Sequence, residues 1–145
     1  MIIPLKGVIK MTEFFKLPDS MSCDELQKAF VKFLDCYSDN TDSQNMDYVL
    51  DELFELSDRQ WHTYELLNDG LKIQIEKFLK GIIDFENEEA MDSILCIIPR
   101  LGLKELFDYI LQEKDTIKNE SVIKNIMESE IEYGKTVDNP YFDMP

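Results

Sequence analysis

Asn87-Glu88-Glu89-Ala90-Met91-Asp92-Ser93-Ile94-Leu95-Cys96-Ile97-Ile98-Pro99-Arg100-Leu101-Gly102 is an unusually apolar run with the marks of a helix. Asn87 is a cap, because its side-chain oxygen can accept from the backbone amides that a helix start leaves without partners. Glu88 and Glu89 then fall in the first turn, where the helix macrodipole favours negative charge. Ala90, Met91, Ile94, Leu95, Ile97 and Ile98 cover more than one face, which an amphipathic surface helix does not do. This helix is therefore expected at the centre of the fold. A proline disfavours helical geometry in the residue before it, so Pro99 is expected to end the helix at Ile98, with Arg100-Leu101-Gly102 as a tight corner.

Around this centre the remaining sequence reads as amphipathic helices. Ser22-Cys23-Asp24-Glu25 is a capping box, followed by Leu26, Ala29, Phe30, Phe33, Leu34 and Tyr37 on one face. Thr41-Asp42-Ser43-Gln44 repeats the box before Met46, Val49, Leu50, Leu53 and Phe54. Ser57-Asp58-Arg59-Gln60 is a third box, expected to end that helix and start another carrying Trp61, Tyr64 and Leu67 as far as Asn68-Asp69-Gly70. Leu71, Ile75, Phe78, Leu79 and Ile82 outline the next helix, and Leu103, Leu106, Phe107, Ile110 and Leu111 the return after the central one. Asn119 can cap a last helix with Val122, Ile123, Ile126 and Met127, which Gly134 terminates. The expected architecture is all-α, one domain over residues 1–145 of six or seven antiparallel helices. Residues 1–11 form a weakly determined lead-in, Met11 being a second possible start. Residues 135–145 form a tail whose Tyr141, Phe142 and Met144 can fold back. Leu50, Leu56, Tyr64 and Leu66 match Leu95, Leu101, Tyr109 and Leu111 at a separation of roughly 45 residues, within the period of HEAT and armadillo repeats. Chance matching between leucine-rich hairpins accounts for this as well.

Composition narrows the function. Among the 145 residues, 30 Asp and Glu stand against 15 Lys and Arg, for a formal net charge of -15. Such a chain repels phosphate backbones and anionic membrane surfaces and attracts basic proteins, so neither nucleic acid nor membrane is an expected partner. The same charge also serves solubility. Apolar residues at 44% and charged residues at 31% are an ordinary folded mixture. Pro4 and Lys6 interrupt the apolar N-terminal run and no small-residue cleavage site follows, so it does not read as a signal peptide. No stretch approaches the ~18 apolar residues of a membrane span. Cys23, Cys36 and Cys96 are odd in number and widely spaced, without a metal-binding pattern. They read as reduced, mostly buried thiols of a cytoplasmic protein.

Catalytic signatures are missing. His62, the sole histidine, has no nucleophile motif around it and reads as structural. Phosphate-binding glycine loops and the H-E-x-x-H zinc motif do not occur, and the acidic residues from Asp39 to Asp51 lack the glycine of a calcium loop. No enzyme activity, metal or cofactor is expected. The carboxylates read either as solvated helix faces or as docking surfaces for the Lys and Arg of a partner. On the second reading the candidates are Asp47, Asp51, Glu55 and Asp58 along one helix and its exit, and Asp84, Glu86, Glu88, Glu89 and Asp92 around another helix start. Trp61 and Tyr141 join them as residue types that anchor interfaces, although core packing is the commoner fate of an aromatic side chain.

Ile97-Ile98-Pro99-Arg100-Leu101-Gly102-Leu103, Glu130-Ile131-Glu132-Tyr133-Gly134 and Asp138-Asn139-Pro140-Tyr141 together resemble small immunity proteins of bacterial polymorphic-toxin and contact-dependent inhibition systems. The likeness covers the C-terminal third by motif, and the remainder by size, acidity and helical character. It implies a cytoplasmic protein that binds one cognate toxin domain, often a basic nuclease, and covers its active site or substrate groove. No binding residue of that family maps onto a particular position here. The alternative is a helical-repeat adaptor or regulatory subunit that holds a peptide in a concave groove.

Overall fold

Residues 21–37 and 46–140 are described by a computed structural model of the chain. Their elements are six α-helices, α1 (Cys23–Tyr37), α2 (Met46–Trp61), α3 (Asp69–Ile82), α4 (Glu88–Leu101), α5 (Lys104–Gln112) and α6 (Glu120–Tyr133), with a 3-10 turn at Lys114–Thr116. No strand occurs among the described residues. The fold is all-α.

Local capping sets most helix starts. Glu25 N donates to Ser22 Oγ at 3.2 Å and Ser22 N donates to Glu25 Oε1 at 3.1 Å, the reciprocal box expected for α1. Asn87 Oδ1 accepts from Ala90 N, and Asn119 Oδ1 from Ser121 N and Val122 N, at the heads of α4 and α6. Thr41–Gln44, the box expected before α2, lies outside the described residues, as do the lead-in 1–11 and the aromatic end of the tail.

The central helix is α4. It packs most extensively on α2 and also meets α5 and α6, while α1 bridges α2 and α3 and α3 meets α5. Met91, Ile94, Leu95, Ile97 and Ile98 are all buried, as their spread around the helix requires. They share one core with Phe30 and Phe33 of α1, Leu50, Leu53 and Leu56 of α2, and Phe107 of α5, each fully buried.

Three local expectations fail for stated reasons. Ser57 does not divide α2: it is wholly buried and its hydroxyl donates back to Phe54 O at 2.7 Å, inside a helix that continues to Trp61. Leu53 and Leu56, buried in the core on the same helix, outweigh the local box. The helix expected from Trp61 to Leu67 is replaced by a side-chain-stitched turn. Thr63 Oγ1 donates to Gln60 O and accepts from Glu65 N, Gln60 Nε2 donates to Glu65 O, and Tyr64 takes a left-handed φ of 60°. Asn68, expected near the end of that helix, instead opens α3 by accepting from Leu71 N.

Pro99, thirdly, does not stop α4 at Ile98. The helix runs to Leu101 and closes on Gly102 at a φ of 72°, with Gly102 N and Leu103 N both donating to Ile98 O. A proline inside a helix leaves the carbonyl four residues back without its amide. Here that carbonyl is Leu95 O, and Tyr133 Oη of α6 donates to it at 2.9 Å. A side chain from the next helix thus repairs the break. Tyr133→Phe is expected to lower stability by about 1–2 kcal/mol in urea titrations, because the part-buried Leu95 carbonyl then loses its donor. A cost near zero would mean that the hydroxyl is not needed there.

The offset of roughly 45 residues holds for one helix pair and then lapses. Leu50 and Leu56 of α2 and their counterparts Leu95 and Leu101 of α4 are all buried. Tyr64 and Leu66, by contrast, are exposed in the irregular segment, whereas Tyr109 and Leu111 lie within α5. After α6 the chain turns back through Val137, which is buried, and Asp138 O lies 3.2 Å from where a Cβ on Gly102 would sit. A glycine suits that corner on both counts, since a side chain would be strained by the φ and crowded by the tail.

Candidate functional site

Helix α4 presents its polar side to α6, and between them opens a groove of about 670 Å³. Asp92, Cys96, Pro99 and Arg100 line it from α4, and Asn125, Ser129, Glu132 and Tyr133 from α6. Trp61, at the end of α2, and Thr136, Asn139 and Pro140 of the tail close it at one end. The three-to-four residue spacing within each set is what puts those side chains on one face of each helix.

Its charge is mostly negative. Asp92 accepts from Asn125 Nδ2 across the groove, which joins α4 to α6 at that level. Arg100, the cation lining the groove, is held within the fold: Nη1 donates to Cys96 O at 2.8 Å, Nε lies 3.7 Å from Asp58 Oδ1, and the guanidinium sits 4.8 Å from the centre of the Phe54 ring. Asp58 Oδ2 also lies 3.8 Å from His62 Nδ1, and the Asp58 carbonyl contacts the same ring nitrogen. His62 thus lies against the last turn of α2. Beyond Asp92 a smaller cavity of about 280 Å³ continues along the helices, lined by Glu88, Asp92, Lys124 and Glu128 among others. Glu88, Asp92, Glu128 and Glu132 thus border one acidic strip between α4 and α6.

The candidates named from sequence fall into separate places. Trp61 and Asp92 line the groove, and Asp58 meets it through its ion pair with Arg100. Asp47 and Asp51 are exposed on α2. Glu55 is paired with Arg59 of its own helix at 3.2 Å. Asp84 accepts from Glu86 N, and Glu86 Oε2 accepts from Lys118 N at 3.0 Å, so these two shape the loop before α4 and tie it to the approach to α6. Glu88 and Glu89 are exposed in the first turn of α4. Tyr141 lies outside the described residues. The thiols are less buried than expected: Cys96 is exposed in the groove, and Cys23 and Cys36 are intermediate. Cys96 falls on the polar side of α4, which sequence periodicity had merged with the core, while Cys23 donates from Sγ to Glu65 Oε2 at 2.8 Å. Burial and that carboxylate hold the Cys23 thiol above the ordinary cysteine value.

The chain has no significant match among protein-family models, curated proteins or solved structures.

Two features went unseen in the sequence. One is the groove itself, whose walls lie far apart in the chain. The signal was present in Asn125, Ser129 and Glu132, a polar stripe beside the apolar Val122 and Ile126. The other is Glu52, which is wholly buried. Tyr37 Oη donates to Glu52 Oε2 at 3.0 Å, while Oε1 has no hydrogen-bond partner among the described residues. Burial pushes the carboxyl up to about 7, against the opposing effect of the tyrosine hydrogen bond. Tyr37 is also raised, first by burial and then by the carboxylate beside it. Glu52 is turned into the core, apart from the groove and the exposed acids, and is read as structural. Among the described residues, no group of three or more His, Cys, Asp or Glu is arranged to hold a metal, and no helix is long and apolar enough to cross a membrane.

Proposed function

We propose that this chain is a binding protein, not an enzyme, that captures a basic protein partner. Its mode of action is that of a bacterial immunity protein, which neutralises a cognate toxin domain by covering the active site or substrate groove. The observation that carries this reading is the acidic strip along α4 and α6, in a chain of net charge -15 whose groove arginine is already engaged by Asp58. A basic nuclease needs an electropositive groove to hold phosphates, and carboxylates on a helical surface compete for that groove. Long-range attraction also speeds capture, which matters when free toxin is lethal. The site of action on this reading is the cytoplasm, where unpaired thiols such as Cys96 stay reduced.

Coexpression of the tagged chain with the product of its neighbouring gene, followed by purification over a salt series, tests the proposal. A complex with a basic domain that weakens as salt rises, together with restored growth of cells making that domain, is the expected result. A complex that gives no protection would shift the reading to an adaptor. Neither complex nor protection would remove the immunity reading.

A further inference from the structure

Two apolar surfaces remain uncovered by the fold, and the charges around them are opposite in sign. The first is a trough between α1 and α3, where depressions of about 420 and 620 Å³ meet at Asp35 and Gln74. Val31, Leu34, Leu71, Phe78 and Ile82 supply its apolar lining, with Val31 46% exposed. Among the described residues that line it, Lys28, Lys32 and Lys77 stand against one acid, Asp35. That is a basic patch on a chain of net charge -15. Gly81 lines the trough from within α3, and a Cβ there would meet nothing within 4 Å. The packing of this chain does not call for that glycine, which costs a helix about 0.5–1 kcal/mol relative to alanine. It does leave the backbone of α3 open to close approach from outside.

The second surface is on α6. Ile123, Met127 and Ile131 recur at four-residue steps and so share one side of the helix, opposite Asn125, Ser129 and Glu132 of the α4–α6 groove. Met127 is 49% exposed and Ile131 is 87% exposed. Single exposed apolar side chains are ordinary, but these stand in register and are bordered by exposed Glu120, Glu128 and Glu130. Lys124, 4.0 Å from Glu128, is the cation among them.

We propose that the α6 stripe of one copy of this chain docks in the α1–α3 trough of a second copy. Met127 and Ile131 cover the apolar lining, while Glu120 and Glu130 meet the lysines at its rim. Helix α6 packs on α4 and makes no extensive contact with α1 or α3, so in this fold a chain does not fill its own trough. Charge disfavours the other occupants at hand. Residues 1–20 bring Lys6, Lys10 and Lys16 against Glu13 and Asp19, and a basic partner would meet lysines. Because the mating surfaces differ, the contact runs head to tail. The proposal is independent of the basic-partner reading.

Repulsion between two acidic chains opposes the contact, so the test is run at about 0.15 M salt, where charges more than about 8 Å apart are largely screened. Sedimentation of the full chain is expected to show a mean mass that rises with protein concentration. Ile131→Glu spoils the stripe and leaves the trough, whereas Val31→Glu spoils the trough and leaves the stripe. Each alone is expected to weaken self-association at least about tenfold. Mixed in equal amounts, they are expected to form a one-to-one complex within about threefold of the parent affinity, since each keeps the surface that the other lacks. Complementation of this kind requires both variants to be folded, and Lys77→Glu, at the exposed rim, serves as a second trough variant. A parent that stays monomeric at every concentration, self-association that survives the substitutions, or mixtures that fail to associate would each overturn the proposal.

Discussion

Phe107→Ala is expected to lower the stability of the chain by about 3–5 kcal/mol, and its thermal midpoint by roughly 10–20 °C. Phe107 is only 1% exposed and stands among the largest fully buried side chains. Its ring lies 5.1 Å from that of Tyr133, whose hydroxyl satisfies the carbonyl freed by Pro99. Truncation would therefore open a cavity and also loosen the tyrosine that spans from α6 to α4. The two losses are coupled. The combination of Phe107→Ala with Tyr133→Phe should cost less than the sum of the single changes, as expected for residues in contact. Guanidinium unfolding of the four proteins of this cycle measures it, and strict additivity would show that Phe107 does not position Tyr133.

The second large effect is on the dependence of stability on pH. Glu52 has its folded-state carboxyl raised to about 7 by burial, from an ordinary value of 4.5. A group raised on folding contributes its stability in full below the unfolded value and loses it as pH rises through the folded one. The Glu52 contribution should therefore decline between about pH 4.5 and pH 7, by about 3 kcal/mol in all. Glu76, raised chiefly by burial while accepting from Leu106 N, acts in the same direction. Glu52→Gln keeps an acceptor for the Tyr37 hydroxyl and cannot ionise. It is expected to be more stable than the parent at pH 8, by about 1–3 kcal/mol, and to have a flatter stability profile between pH 5 and pH 8. Urea titrations at several pH values decide the matter. A variant whose profile parallels the parent's would mean that Glu52 is not the group responsible.

What could be read from sequence and what could not divides by the range of the interactions. The caps at Ser22, Asn87 and Asn119 involve partners within three residues, so the identity of those residues nearly settles the hydrogen bonds. The centrality of α4 was equally visible, because a helix apolar on more than one face has few places to go. Ser57 and Pro99 carry equally plain local signals that tertiary packing overrides. Buried Leu53 and Leu56 carry α2 through the first, and the hydroxyl of Tyr133, far along the chain, compensates the second. Of the acidic candidates, Asp92 lines the groove together with the aromatic Trp61, and Asp58 bears on it only through its ion pair with Arg100. Glu86 instead accepts a backbone amide, a role that composition cannot distinguish from display to solvent. Glu52 was hidden for the converse reason. It stands in a run of acids along α2, and only its helical phase, shared with Val49, Leu53 and Leu56, marks it as turned inward.

The pairing of α2 with α4 also bears on how the protein is made. These helices pack most extensively on each other although all of α3 lies between them in the chain. Extra loop length adds little to the entropy of bringing them together, about 0.6 kcal/mol per doubling, so the order of the elements is no great obstacle to refolding the complete polypeptide. On the ribosome the situation differs, because residues 46–61 emerge well before 88–101. Until the later segment has left the exit tunnel, the apolar stripe of the earlier one lacks its main cover. For a few seconds of synthesis, at about 5–20 residues per second, the nascent chain displays a leucine-rich helix face to chaperones and to other unfinished chains.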